Sequence, residues 1–428
     1  MSRSFRLMVF IACLSCVPGS AWAQGAMLHG IGPVNSSMGG AGAALLNESL
    51  GALTYNPALI AGVQGNQISF TSEFFKDDII IVTQIDTLEG RSEPNSQWNA
   101  VPAFGWMLRD PKGKLALGFA LIGLAGFGAD YAADDASLLF AVIPNGFGRI
   151  FTDYRMTKIP IALAYQVTPK LAVGGSLNVY ISEFAVAPLP YKFYDTDESG
   201  NRYYPEAGKL DRRWAVSGQL GLVYQATPVV SVGGSITFPQ NFATHEWNST
   251  HANPGSVDYG QPQIVSFDLD GPMILSFGVG LKPGAKTQVA IDGMFTKYEG
   301  VHGFGGPGGI NDGVVDPFGW RDVWTFKVGV QHQATEKLAV RGGYNFSQMP
   351  LREEVVLSAT GAPATFQHHY CAGVGLKMFP FLEAEASFYY VPRDHVSGYF
   401  TDLQNVVVGT LDESNTLKGV LIGLNFRF

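Results

Sequence analysis

The stretch "GVLIGLNFRF", residues 419–428, places Val420, Ile422, Leu424, Phe426 and Phe428 at alternate positions and finishes on an aromatic ring. A period of two is the side-chain period of a β-strand, so all five side chains share one face. In water that face would be exposed at a fraying end. It is stable if the face meets hydrocarbon and the backbone is paired on both sides, because lipid offers no partner to a free N–H or C=O. The stretch therefore reads as one strand of a closed barrel, with Phe426 and Phe428 in an aromatic girdle at the periplasmic interface.

The same alternation fills the chain. Leu171, Val173, Leu177, Val179 and Ile181 alternate with small and polar residues, as do Trp214, Val216, Leu220, Leu222 and Tyr224, and again Trp324, Phe326, Val328 and Val330. Short turns punctuate these runs at 109–114, 166–170, 225–228, 282–286, 333–337 and 378–381. Long polar or glycine-rich stretches lie between them at 79–96, 129–151, 186–209, 241–263, 298–319, 349–363 and 395–414. Counting strands between these marks predicts an all-β transmembrane antiparallel barrel of about fourteen strands, with tight turns at one end and long loops at the other. Segments of ten to fifteen residues suit a bilayer, which a tilted strand crosses in about 9–11 residues. A soluble all-β fold such as a propeller would show shorter strands and a blade-like repeat, and neither is found.

Composition agrees with a membrane setting. Charged residues are 15% of the 428, against roughly 25% in soluble domains, and glycines number 52. Arg3 and Arg6, an apolar stretch from Leu7 to Val17, and Ala21-Trp22-Ala23 have the order of a secretory signal over 1–23, too short for a spanning helix. Its removal takes Cys13 and Cys16 and leaves Cys371 alone, so no internal disulfide is expected. The formal charge of −8 argues against nucleic acid as a partner. Leu115 to Ala129, the one other long apolar run, carries Gly118, Gly123, Gly126 and Gly128, which disfavour a helix.

Residues 24–65 lack alternation and are rich in Gly, Ala and Ser, so they cannot build a core of their own. With a barrel over 66–428, the place for them to bury is its interior. The third strand, counted as Lys114 to Gly128, holds the four glycines just named, and its inward row (Ala116, Ala120, Ile122, Leu124) is apolar. Glycine inside a strand marks a bulge, a bend or a close approach, and Pro160 on the next strand cannot donate to the ladder. These features predict a defect in the wall, although the glycines would also relieve crowding in a curved barrel.

Gly30-Ile31-Gly32, Gly39-Gly40-Ala41-Gly42 and Asn47, then Asn56-Pro57-Ala58 just before the first strand, resemble the start of FadL-type outer-membrane transporters of hydrophobic compounds. That family includes long-chain fatty-acid transporters and TodX-like channels for aromatic hydrocarbons. The resemblance covers the mature chain in layout. It implies a hatch over 24–65, capture of cargo among external loops, a lumen pocket, and lateral exit at a kinked third strand. It also implies outer-membrane lipids and the assembly machinery as partners, the latter reading Phe426 and Phe428. No cofactor is implied, and a monomer is expected.

No pattern for catalysis or metal binding emerges. His368 and His369 point to opposite faces, His245 and His251 lie in a loop without Cys or carboxylate clusters, and no Gly-x-Ser-x-Gly occurs. "GFGGPGG" (303–309) lacks the Lys and helix of a phosphate loop. Lys327 and Arg341 face inward by parity, nearly opposite across one hairpin, and either bind a fatty-acid carboxylate or are neutralised by Glu383 and Glu385. Phe127, Phe140, Phe147 and Phe151 form a possible apolar groove for aromatic cargo. The expected function is passive transport of hydrophobic small molecules, with fatty acids first and aromatic hydrocarbons as the alternative. A non-specific porin or structural protein would lack residues 24–65 and carry a charged, open lumen.

Overall fold

The structure, a computed structural model, describes residues 25–110, 113–134, 137–139, 148–192, 194–311, 314–316, 318–401 and 406–428. The signal segment 1–23, Phe140 and Phe147 lie outside the described residues. Strand β1 spans Gln67–Ile85, β2 Asn99–Arg109, β3 Leu115–Tyr131 and β4 Ile150–Thr168. Strand β5 spans Leu171–Ala187, β6 Ala207–Gln225, β7 Val230–Thr237, β8 Met273–Gly284 and β9 Thr287–Lys297. Strand β10 spans Val323–Gln333, β11 Leu338–Ser347, β12 His368–Phe379, β13 Leu382–Thr401 and β14 Val407–Arg427.

Each strand pairs antiparallel with its sequence neighbours, and β1 pairs with both β2 and β14, so the fourteen-strand wall closes. The closing seam runs from Gln67↔Arg427 to Gln84↔Thr410. Phe428 and Asn66 exchange backbone hydrogen bonds of 3.0 Å in both directions. The aromatic end is therefore not an edge. Phe426 lies 6.4 Å from Phe70, which lies 5.1 Å from Phe104, itself 6.5 Å from Phe119, and these rings form a girdle across four strands.

Side-chain exposure follows the alternation. Trp214, Val216, Leu220 and Leu222 stand outward, while Ala215, Ser217 and Gln219 are buried. None of the described helices is long and apolar enough to cross a membrane. The short turns all join neighbouring strands at the Phe428 end. Two of the long stretches are not loops. In 79–96 the wall continues as β1 to Ile85 and folds back on itself at Leu88–Ser92, and in 395–414 β13 and β14 run on to Thr401 and from Val407. β1 and β14 run to 19 and 21 residues, well past the roughly 9–11 that a tilted strand needs to cross a bilayer.

If the outward row meets lipid, Val216→Arg at mid-wall should lower the free energy of folding into phospholipid vesicles by about 2–4 kcal/mol. Denaturant titration followed by heat-modifiable gel mobility checks this.

Candidate substrate pathway

The amino-terminal segment occupies the space inside the wall. It carries helix α1 (Pro33–Ser37), helix α2 (Ser49–Tyr55) and a 3₁₀ turn (Pro57–Gly62), all buried apart from Gly62. Its sequence motifs have distinct physical roles. Gly39 and Gly40 adopt φ of +67° and +76°, a region that favours glycine, and a side chain on either would strike backbone. The turn they make directs the N–H groups of Gly42 and Ala43 onto Asp292 Oδ2 of β9, at 2.5 and 2.7 Å. Asn47 donates to Ala41 O at 2.7 Å. Asn35 N donates to Glu48 Oε2 at 2.9 Å, and burial pushes the Glu48 carboxyl up to about 8.

Asn56-Pro57-Ala58 is the anchor. Asn56 Oδ1 caps the 3₁₀ turn by accepting from Ala58 N at 3.1 Å, with Pro57 at its first position, where a missing N–H costs nothing. Its Nδ2 donates to Ala43 O at 2.7 Å and to Leu222 O of β6 at 3.0 Å. The motif lies against Gly174 and Gly221, cross-strand partners on β5 and β6, where any Cβ would collide with Asn56, Pro57 or Ala58. Gly329 and Gly343, paired on β10 and β11, receive Met38 and Gly39 in the same way. Inward glycines of the wall thus mark where a second backbone approaches.

Strand β3 departs from its neighbours. Its ladder to β2 runs only from Arg109↔Ala116 to Ala103↔Ile122, and above that point β2 pairs with β1 alone. Its ladder to β4 skips Ala120 and Leu121, opposite Pro160, and shifts register between Gly123 and Ala125. That bulge reverses the inward parity. Below it Ala116, Ala120, Ile122 and Leu124 face the lumen; above it Phe127, Ala129 and Tyr131 do. The backbone of Ala26–Leu28 bridges β3 here: Leu28 N donates to Leu124 O at 3.1 Å and Gly126 N to Ala26 O at 2.8 Å. Of the four glycines, Gly123 and Gly126 lie at this break, with Val101 packed over Gly123. Gly118 instead makes room for Leu53 and Ile60, and Gly128 pairs regularly with Asp153.

Phe127 is the centre of a buried aromatic cluster beneath the external loops. It lies 4.8 Å from Tyr154, 5.3 Å from Phe318, 6.1 Å from Phe304 and 6.2 Å from Phe184. Phe151 does not join it. On β4 it has the opposite parity to Tyr154, and it stacks with Arg149 at 5.2 Å beside a polar groove. Of the stretch 349–363, expected as an external loop, the part from Val355 onward folds inward and is buried as far as Phe366, with Thr152 Oγ1 donating to Gly361 O at 2.5 Å. Its apolar run (Val355, Val356, Leu357, then Ala359, Ala362, Ala364) was the available signal for that burial.

The lumen cations are already engaged. Arg341 forms a bidentate pair with Glu385 at 2.6 and 3.3 Å, and Glu383 pairs with Arg427 at 2.8 Å. Lys327 and Arg341 are not opposite each other: Lys327 pairs with Asn345 and Arg341 with Gln331, four positions apart along β10 (327 against 331). Lys327 Nζ lies 4.3 Å over the Tyr55 ring and is the cross-strand partner of Asp292. Lys158, missed by sequence reasoning, is buried and donates to Leu53 O (3.3 Å), Thr54 O (3.2 Å) and Gln219 Oε1 (2.8 Å), the first two at the carboxyl end of α2, where a cation is favoured.

A Ser–His–Asp connection also appears that the sequence did not reveal. Ser182 Oγ is 3.0 Å from His245 Nε2, and His245 Nδ1 is 2.8 Å from Asp211 Oδ2. Ser182 and His245 are fully enclosed and the ring stacks on Trp247, so no ester carbonyl reaches the hydroxyl. The three residues pin the external hairpin His245–Thr250/Pro262–Phe267 to β5 and β6. Burial lowers the His245 pKa against the pull of Asp211.

The comparisons agree with this geometry. Residues 14–428 match the family model described as outer membrane protein transport protein (OMPP1/FadL/TodX). Among solved structures, the chain is similar to the P. putida toluene transporter TodX, at 17% identity and a TM-score of 0.69, covering 94% of this chain and 99% of that one. It is similar to a Pseudomonas aeruginosa FadL homologue at 15% identity and 0.72, covering 94% and 100%. It is also similar to the Ralstonia pickettii toluene transporter TbuX at 18% and 0.66, covering 94% and 99%. No curated protein matches significantly.

Removing the Asn56 side chain leaves Ala43 O and Leu222 O without their donor, a loss of about 1–3 kcal/mol in the seating of the segment. Asn56→Ala, and Gly221→Val by collision, should each speed tryptic cleavage within 25–63, while the wall keeps its heat-modifiable mobility.

Proposed function

We infer the function from one premise: this chain belongs to the OMPP1/FadL/TodX family of outer-membrane transport proteins. It is a β-barrel channel of the Gram-negative outer membrane for hydrophobic compounds, and not an enzyme. Beyond that, we propose that residues 24–65, freed from a signal over 1–23, act as a hatch. Cargo passes from the aromatic cluster around Phe127 to the break in β3 and leaves sideways into the bilayer. The observation that carries this reading is the stretch above Ile122 where β3 has no ladder to β2 and the strand is instead bridged by Ala26–Leu28. Only a segment joined to β3 by two backbone hydrogen bonds, rather than by a full ladder, need shift there. An apolar solute favours this exit because it never surrenders its burial to periplasmic water. In the same proposal Phe426 and Phe428 are what the assembly machinery reads, and the barrel works as a monomer.

For the cargo we place neutral aromatic hydrocarbons ahead of fatty acids. A carboxylate needs a cation with spare donors, whereas Arg341 is paired, Lys158 is bonded to three oxygens and Lys327 lies on Tyr55 beside Asp292. The aromatic cluster supplies edge and face contacts suited to a ring. Competition between labelled toluene and labelled oleate for the detergent-purified protein tests this. Toluene should be retained and oleate should not displace it; oleate binding that is lost in Lys158→Gln would reverse the order.

The exit route has its own test. Met27 and Ala125 are antiparallel bridge partners, at the roughly 4.5 Å Cα spacing that a disulfide accepts. The double variant Met27→Cys/Ala125→Cys, oxidised, should lose at least tenfold in the rate of toluene uptake into proteoliposomes and recover on reduction. Equal rates in both states would exclude exit at this break.

A further inference from the structure

We propose that Lys76 and Lys418 form an outward-facing site for the phosphate group of an acylated lipid in the outer leaflet. The two lysines are direct cross-strand partners at the β1–β14 seam. Both project away from the lumen, since Phe75, Asp77, Leu417 and Gly419 beside them are buried. Like charges placed opposite each other weaken a sheet, so the pair needs an anion. Among the described residues neither lysine is in an ion pair, and the carboxylate next to Lys76 in the chain, Asp77, is turned into the lumen. The carboxylate two residues along β1, Asp78, is held by Arg393 Nη2 at 2.7 Å, with Arg393 Nη1 on Ser414. The patch therefore holds three cations (Lys76, Lys418, Arg393) against Asp78 and, on the far side of Arg393, Asp394, whose carboxylate is turned to Gln367 N at 3.1 Å. Other outward arginines toward the external end of the wall are neutralised within the protein, Arg155 by Asp153 and Arg212 by Glu183.

The height of the pair selects the ligand. Lys418 lies eight residues above Phe426 of the opposite girdle, about 20 Å along the membrane normal for a tilted strand. Below it the outward row is apolar: Val420, Ile422 and Leu424 on β14, and Phe74 on β1. Beside it, Tyr344, Tyr370 and Tyr390 occupy the same cross-strand row on β11, β12 and β13, and Tyr390 is the partner of Lys418. Tyr390 and Tyr370, one and two strands from Lys418, bring phenol groups close to the pair, as rings at the headgroup level do. On the far side, exposed Trp98 directly precedes Asn99, the partner of Phe75. Two adjacent ammonium groups flanked by Tyr390 and Trp98, above an apolar row, fit a ligand with acyl chains below and a phosphate above. Lysine meets phosphate as a point charge with three donors.

Native mass spectrometry of the full mature barrel in detergent tests the site, with three probes: a phosphorylated lipid A-type glycolipid, its dephosphorylated counterpart, and inorganic phosphate. The wild type should retain the phosphorylated lipid at least tenfold better than the dephosphorylated one. Lys76→Gln/Lys418→Gln should lose at least tenfold of that retention, and Lys76→Arg/Lys418→Arg should keep it. Inorganic phosphate at millimolar concentration should not displace the lipid. Equal retention of the two lipids by the wild type would overturn the proposal without any variant. So would unchanged retention by the Gln variant with wild-type heat-modifiable mobility, or displacement by inorganic phosphate, which would leave a simple anion site.

Discussion

In hydrocarbon a backbone N–H or C=O without a partner costs several kcal/mol, and no water is present to compensate. Every strand must therefore be paired along both edges, and the rest of this structure follows from that requirement. The seam from Gln67↔Arg427 to Gln84↔Thr410 satisfies it for the first and last strands and fixes the final phenylalanine in a ladder. The requirement is relaxed above the Ala103–Ile122 pair. There the bulged β3 has lost β2 as a partner, and the backbone of Ala26–Leu28 takes its place. The internal segment is thus part of the wall's hydrogen-bonding scheme at the point where the wall is incomplete.

The same segment determines the inner face. A barrel of this size leaves a space that side chains alone do not fill. Here the space is filled by a second backbone, and close approach needs wall positions without a Cβ. Gly174 and Gly221 under Asn56–Ala58, and Gly329 and Gly343 under Met38–Gly39, are such positions. The polar groups that accompany a buried backbone then have to be satisfied. Asp292 does so for two N–H groups, and Lys158 and Gln219 do so for the carbonyls at the end of α2. These lumen charges serve the seating of the segment.

Features set by local periodicity were legible in the sequence. The outward rows, the short turns and the strand count depend on patterns a few residues long, and they match the wall. The glycines of the third strand were legible as a defect, but its consequence was not. A bulge at Leu124 shifts parity by one, and that shift turns Phe127 into the lumen while Phe151, on the unbroken β4, stays outside the cluster. The offset of Lys327 from Arg341 depends on the register of one hairpin, and a count by parity fixes the face but not the height. Ser182, Asp211 and His245 come from three separate elements and no spacing links them. The buried stretch from Val355 to Phe366 was hidden by the expectation that chain between strands at this end faces water.

Those unpredicted features lie on one path. The inward fold of residues 355–366 and the hairpin pinned by Ser182, His245 and Asp211 roof the lumen with apolar surface. The rings under that roof lead to Phe127, and the bulge that aims Phe127 inward is the same irregularity that removes β3 from its ladder. A polar solute gains nothing along such a path, since its hydration would be stripped at the roof and not replaced at the wall. On the proposed route an apolar solute loses nothing, because each surface it would meet is apolar and the final one is the bilayer. One inserted residue in one strand therefore couples the lining of the pocket to the weakness of the wall, and the selectivity proposed for this channel follows from that coupling, with no binding group dedicated to a particular cargo.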